Sequence, residues 1–423
     1  MIKFYNKIFQ SNNSKILLSN FVYLSILQGL NLLLPLITFP YLVRVLGVDY
    51  FGLLSFSMAL ITYFQIVTDY GFNSTATRDI SKEVDNKNKQ NEIFNDVMST
   101  KLFLVLICFL LMVTVVSLFK IFRSNWLIYF FSFGSVIGQA IFPIWFFQGV
   151  QKMRYITILN LCTKVFFTIA LFVFVRKQSD YYLVPVFNAL GFISAGTVSF
   201  YYLKKDFQIR LKLQPFNKIK EQLIKGKFMF LSELKISLFT NTNVLLLGIF
   251  AGNTAVGYFT SAEKLARAMG NFQTPISNAL FPYISKEMAL NKKETIQKVI
   301  KITKMGALVF SIIVLLCVMF SNEIITLIYG QKMKPSILLF KILLIIPLAS
   351  FLDTMFGKLI LLNNNKDNLY FRVILWATII NIVLNLLLTP TFKELGTAIV
   401  LSFTQIFIVF GMWYYASKEK KVI

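Results

Sequence analysis

Apolar runs of about 18 residues or more recur from one end of the chain to the other, each interrupted by a short polar or charged stretch. A helix of that length crosses a bilayer core of roughly 30 Å. The pattern predicts about twelve membrane-crossing helices, over residues 17–42, 51–68, 102–119, 126–147, 158–175, 182–203, 228–250, 255–284, 304–328, 337–362, 372–389 and 396–416. The expected fold class is an all-α polytopic membrane protein.

The tightest reversal lies between the first two runs. Residues Arg44 to Tyr50 are too few to carry the chain round another element, so the flanking helices must be antiparallel neighbours. Gly47 and Gly52 bracket this turn, where a side chain would crowd the backbone. The spacing returns in the second half: Gly47-x-Asp49-x-x-Gly52 reappears as Gly252-x-Thr254-x-x-Gly257, displaced by 205 residues. Both copies fall between the first and second helices of a six-helix set. This predicts two tandem six-helix lobes, residues 1–203 and 228–423, joined by a basic linker at 204–227. Parallel repeats of this kind occur in secondary transporters, with the substrate path at the repeat interface.

Composition narrows the class further. A chain of 423 residues with 56% hydrophobic content is too apolar for a pair of soluble domains. The net charge of +24 is a topology signal, because the lysines and arginines fall on one set of alternate loops by 29 against 8. The positive-inside rule then puts both termini in the cytoplasm. Charge spread over every inner loop, not gathered in one module, excludes a nucleic-acid partner. The linker KKDFQIRLKLQPFNKIKEQLIKGK reads as a solvated tether more readily than as a dock on anionic lipid headgroups. The stretches 73–101 and 285–304 alternate charged and apolar residues and predict short interfacial helices.

Several chemistries are excluded. Cys108, Cys162 and Cys317 all fall within apolar runs and read as small buried hydrophobes, so no disulfide or metal site is expected. There is no histidine and no phosphate-binding Gly-x4-Gly-Lys motif, so neither a catalytic site, direct ATP use nor a cofactor is expected. The outer loops are short, which counts against glycosyltransferases and polymerases. The first apolar run is too long for a cleavable signal and should act as an anchor.

Charges inside the apolar runs are the informative residues, since each costs about 2.5–3.5 kcal/mol at the helix centre. They are Lys164, Lys235, Lys264, Arg267, Lys341 and Lys358, with Asp69, Glu233, Glu263 and Asp353. Lys164, Lys341 and Lys358 lie near predicted helix ends, where long stems reach the interface. Lys235, Lys264 and Arg267 lie deeper. Glu263 and Arg267, four apart, can pair along one helix. A wall with surplus cations suits a phosphate or pyrophosphate, although the same charges could serve as glue between the lobes. Asp69, Glu233, Glu263 and Asp353 are candidates for ion coupling. Intramembrane amides such as Asn31, Gln65, Gln139 and Asn160 suit a sugar-compatible lumen, and also ordinary interhelix hydrogen bonding. Prolines 35, 40, 143, 185, 275, 282 and 347 are expected to kink their helices and supply hinges.

Two stretches carry a resemblance. PLITFPYLVRVLGVDYFG followed by TDYGFNSTATRDIS resembles the N-terminal signature of Wzx-type O-antigen and polysaccharide flippases, in the MATE-like (MOP) exporter superfamily. VGYFTSAEKLARAMGNFQTPISNALFPYISK is similar to that family's second-lobe signature. The resemblance implies a MATE-like bundle in the bacterial inner membrane. It also implies transfer of undecaprenyl-pyrophosphate-linked oligosaccharide between leaflets by alternating access, among membrane lipids and in contact with the glycan polymerase complex. The family's basic lumen residues carry over to Arg44, Arg78, Lys264 and Arg267, and the residues' own reading adds Lys235. The alternative within the superfamily is a drug or cation exporter, which would place more carboxylates than cations in the lumen.

Overall fold

The computed structural model describes residues 12–421, and every regular element among them is helical. In chain order these are α1 (Asn12–Asp69), α2 (Phe72–Lys82), α3 (Lys87–Leu118), α4 (Trp126–Ile141), α5 (Ile144–Gly149), α6 (Met153–Phe174) and α7 (Leu183–Asp206). There follow α8 (Phe216–Asn271), α9 (Thr274–Leu290), α10 (Lys292–Met319), α11 (Ser321–Tyr329), α12 (Ser336–Leu343), α13 (Ile345–Asp353) and α14 (Asp367–Lys421). A π-helical turn, Thr354–Leu361, continues α13. Nine helical stretches of the described residues are long and apolar enough to cross a membrane. Three of them bend midway, at Gly47, Gly252 and Lys393, and each of these supplies two crossings. The protein is thus an all-α membrane protein of about twelve spans.

The bends differ from the expected proline hinges. Gly47 (φ 79°, ψ 172°) and Gly252 (φ 80°, ψ −177°) adopt one and the same backbone conformation, 205 residues apart. That region of φ favours glycine, which has no Cβ to collide. Pro185, Pro275 and Pro347 instead sit in the first turns of α7, α9 and α13, where the missing N–H would have no helical partner anyway. Pro143 does interrupt a helix, between α4 and α5.

Contacts divide the chain into two units, residues 1–38 with 57–234 and residues 39–56 with 235–423. The segment Phe39–Phe56 therefore packs with the second half of the sequence. In the first unit, α4, α6 and α7 lie close because small residues face each other. A Cβ on Gly138 would meet Phe192 and Ile193, and one on Gly191 would meet Thr163. Thr163 Oγ1 also donates to the Gly191 carbonyl at 3.0 Å. Small faces and hydroxyl bonds are what associate helices in lipid, where burial of apolar surface gives no drive. A core of Phe72, Ile80, Phe94, Met98, Trp145 and Phe146 sits where α2, α3 and α5 meet.

The second unit has its own core, including Ile284, Val299, Phe351, Leu361, Ala377 and Met412. The two glycine turns meet here reciprocally. A Cβ on Gly52 would strike the Asn253 carbonyl, and one on Gly257 would strike the Val48 carbonyl. Thr254 Oγ1 donates to Asp49 between the two turns. Gly52 and Gly257 are there for close approach, not for the reversal itself.

Three expectations are corrected. The stretch 73–101 holds one short helix, α2, which buries Phe72, Ala76 and Ile80 on one face, but residues 87–101 belong to the membrane helix α3. Residues 285–304 form no separate interfacial helix, since α9 runs to Leu290 and α10 starts at Lys292. The linker is not a free tether. The Lys212 and Gln214 backbone N–H groups donate to Asn95 Oδ1 (2.8 Å) and Ser99 Oγ (3.0 Å) at the start of α3. Of the cysteines, Cys108 is buried but Cys162 is exposed on the outer face of α6, beside the exposed Ile158 and Phe166.

Candidate functional site

The first unit encloses a polar cavity of about 420 Å³, and its walls follow from local folding. α1 ends at Asp69, and the chain turns through Tyr70 (φ 50°) and Gly71 (φ 76°) into α2. The start of α8 packs into this turn. The Tyr70 ring stacks on Phe230 with centroids 4.6 Å apart, and a Cβ on Gly71 would meet Met229 at 2.7 Å. That packing brings Glu233, one turn along α8, to the same cavity as Asp69.

From α3, Lys101 enters the cavity only 3% exposed and pairs with Asp69 at 3.2 Å. α6 contributes Asn160 and Lys164, four apart and so on one face. Lys164 is eleven residues into α6, about 16 Å along its axis at 1.5 Å per residue, and therefore at the middle of that helix. It is not the end-of-helix residue its sequence position suggests, because α6 begins at Met153, five residues before the apolar run. Five carboxamides complete the lining: Asn31, Gln65, Asn73, Gln139 and Asn160.

The hydrogen-bond inventory shows what this lining is free to do. Gln65 Nε2 donates to Ser135 Oγ at 3.3 Å, and Asn160 Nδ2 to the Ile156 carbonyl at 2.9 Å. Asn31, Asn73, Gln139, Lys164 and Glu233 make no side-chain hydrogen bond or ion pair among the described residues. A cavity whose donors and acceptors are left open, with one cation not claimed by a carboxylate, can receive a polyhydroxylated anionic group.

The other predicted residues lie elsewhere. Arg78 is on α2, exposed and 3.7 Å from Asp79, in a separate cleft with Glu92 and Lys218. In the second unit, Arg44 donates through Nε to the Ile328 carbonyl at 3.0 Å and through Nη2 to Leu327. It thereby holds the C-terminal carbonyls of α11, where a cation is favoured by the helix dipole. Arg267 and Glu263 form the expected i, i+4 pair at 2.8 Å. Lys264 lies over the Phe39 ring at 3.6 Å and near Phe51 at 5.5 Å, a cation–π arrangement. Lys235 is exposed on α8. Asp353 ends α13, beside Gly357, and its Oδ1 has no partner among the described residues. Lys358 donates to Asn278 Oδ1 (2.8 Å) and Ser277 Oγ (3.2 Å).

Of the charges singled out in the sequence, Asp69, Lys164 and Glu233 line this cavity, and Lys101, which is not among them, lines it too. α3 extends back to Lys87, so Lys101 lies within this helix and not in the polar stretch before it. Among the described residues no cluster of three His, Cys, Asp or Glu could hold a metal.

Comparison with known proteins agrees with this architecture. Residues 17–288, well over half of the chain, match the family described as polysaccharide biosynthesis protein. A protein of Escherichia coli (strain K12) named "Putative O-antigen transporter" is 28% identical over 98% of this chain and 100% of its own length. Among solved structures, the lipid II flippase MurJ in an inward closed conformation superposes with a TM-score of 0.68 at 13% identity, covering 95% of this chain and 87% of that one. An inward-facing multidrug resistance MATE transporter of the MOP superfamily gives 0.67 at 16% identity, covering 95% and 99%. The chain therefore belongs to the polysaccharide biosynthesis protein family, with the two-lobed fold of the MATE-like exporters.

Proposed function

We propose that the protein is a flippase that moves an undecaprenyl-pyrophosphate-linked oligosaccharide repeat unit from the cytoplasmic to the outer leaflet of the bacterial inner membrane by alternating access. The observation that carries this reading is the first-unit cavity, in which open carboxamides accompany the unclaimed cation of Lys164 at the middle of α6. Amides offer both donor and acceptor to sugar hydroxyls, and a lysine offers charge-assisted bonds to phosphate. The names borne by the relatives point the same way. A drug or cation exporter would favour a carboxylate surplus, whereas the cavity holds Asp69 and Glu233 against Lys101 and Lys164.

Coupling to an ion gradient falls in this reading to Glu233, which lines the cavity without an ion pair among the described residues, beside Asp69, whose pairing with Lys101 it can perturb. Glu263 is committed to Arg267, and Asp353 stands in the other unit. Both termini lie in the cytoplasm, and the glycan polymerase is the expected neighbour on the outer side.

The test is complementation of a flippase-deleted host by wild type, Lys164→Glu, Glu233→Gln and Lys264→Glu, with membrane expression of each checked. Surface glycan lost with Lys164→Glu, while lipid-linked repeat units accumulate on the inner leaflet, supports the cavity as the substrate site. Full surface glycan from both Lys164→Glu and Glu233→Gln would sink it. Glycan lost only with Lys264→Glu would move the anionic path to the second unit.

A further inference from the structure

The second unit carries a different kind of recess, an apolar groove of about 660 Å³ between α10, the π-helical turn after α13, and the end of α14. Its shape has local causes. Gly306 lets the Phe351 ring lie directly against the α10 backbone, and Phe351 stacks on Phe310 with centroids 4.9 Å apart. The floor is thereby set low, and the π-helical winding displaces Phe356 and Ile360 to one side of it. The hydroxyls in the wall are spent on their own helices. Thr303 Oγ1 donates to the Val299 carbonyl at 2.7 Å, and Ser417 Oγ to the Tyr414 carbonyl at 2.8 Å. What remains towards the groove is hydrocarbon.

The groove opens outward. On α10, Met305, Leu308, Val309 and Ile312 are all at least half exposed, so this helix faces the bilayer along its length. The mouth is marked by charge. Lys304 is the last basic residue before an uncharged stretch from Met305 to Met319, and Trp413 stands opposite it, 47% exposed, as an interfacial tryptophan does. The lining contains no acid. Lys298 is engaged by Glu287 and Glu294, but Lys301 and Lys304 hold no carboxylate among the described residues.

We propose that this groove binds one acyl chain of an anionic glycerophospholipid, with the lipid phosphate on Lys304. Hydrocarbon walls open to the bilayer exclude water and accept a chain, and a cationic rim at headgroup level is complementary to phosphate. The proposal stands apart from the flippase reading, because it concerns a resident lipid and not the transported one.

Native mass spectrometry of the detergent-purified full chain tests it, with phosphatidylglycerol, phosphatidylethanolamine and undecaprenyl phosphate added in turn. Wild type should retain one phosphatidylglycerol about fivefold more strongly than phosphatidylethanolamine, the factor expected of one basic residue near a lipid surface. Lys304→Gln should erase that preference. Ala307→Trp, which fills the groove, should remove the retained lipid, and Leu352→Trp tests the same from the opposite wall. Retention unchanged by both tryptophans would overturn the proposal, as would equal retention of the two phospholipids by wild type. Undecaprenyl phosphate displacing phosphatidylglycerol, and itself lost with the tryptophans, would also overturn it by giving the groove to a prenyl chain.

Discussion

The two units put polar side chains of the same kinds to opposite ends. In the second unit Asn385 Nδ2 donates to Asn243 Oδ1 at 2.8 Å, Asn381 Nδ2 to Thr404 Oγ1 at 3.2 Å, and Thr389 Oγ1 to Asn385 Oδ1 at 3.0 Å, while Thr389 and Thr397 share a bond of 3.1 Å. These groups are neutral, almost wholly inaccessible, and satisfied by one another. They tie α8 to the two arms of α14. In the first unit the amides border an open volume, and several have no protein partner. A satisfied amide in a membrane helix is glue; an unsatisfied one facing a cavity awaits a ligand.

The largest test of that contrast is Lys101→Ala. It leaves Asp69 in the cavity wall without its cation, and breaking a buried pair in this way costs about 3–5 kcal/mol. Thermal unfolding of the purified variant should show a marked loss, partly recovered by Lys101→Ala with Asp69→Asn. Lys164→Met should act with the opposite sign on stability. It removes an unclaimed charge that costs about 2.5–3.5 kcal/mol at mid-helix, so the midpoint should rise while glycan export falls. A midpoint that falls would mean that Lys164 has a stabilising partner.

Asn385→Leu comes next. It strips partners from Asn243 and Thr389, at about 1–3 kcal/mol for each buried group left unsatisfied. Stability should drop, and export should drop only in proportion to the folded protein in the membrane. Gln139→Ala has the smallest effect on stability, within about 0.5 kcal/mol, because no protein bond is lost. Export should nevertheless fall severalfold in the complementation assay. Unchanged export with Gln139→Ala would place that amide with the glue.

The contrast explains what the sequence disclosed. Twelve spans, the repeated glycine turn and the Glu263–Arg267 pair are local patterns, set by periodicity and spacing within a few turns of helix. The cavity is assembled from all eight helices α1 to α8, and no single stretch carries its outline. The depth of Lys101 and Lys164 is hidden in the sequence for one physical reason: hydropathy marks where apolar residues begin, but α3 and α6 begin a turn or more earlier, at Lys87 and Met153. Charges that look terminal are then interior. Asn243 and Asn385 could not be told from Asn160 and Gln139 by type, since only the presence of a neighbour's donor or acceptor separates them.

The placement of Phe39–Phe56 has a consequence for synthesis. The chain leaves the first unit at Thr38, contributes these eighteen residues to the second, and returns at Ser57. The turn at Gly47 is made early, yet the residues that close on it, Asn253 to Gly257, emerge some two hundred residues later. Until then the segment must wait in the membrane with its packing face unfilled. The amino-terminal hairpin is therefore completed only by residues from the second half of the sequence, so its final packing comes late in synthesis.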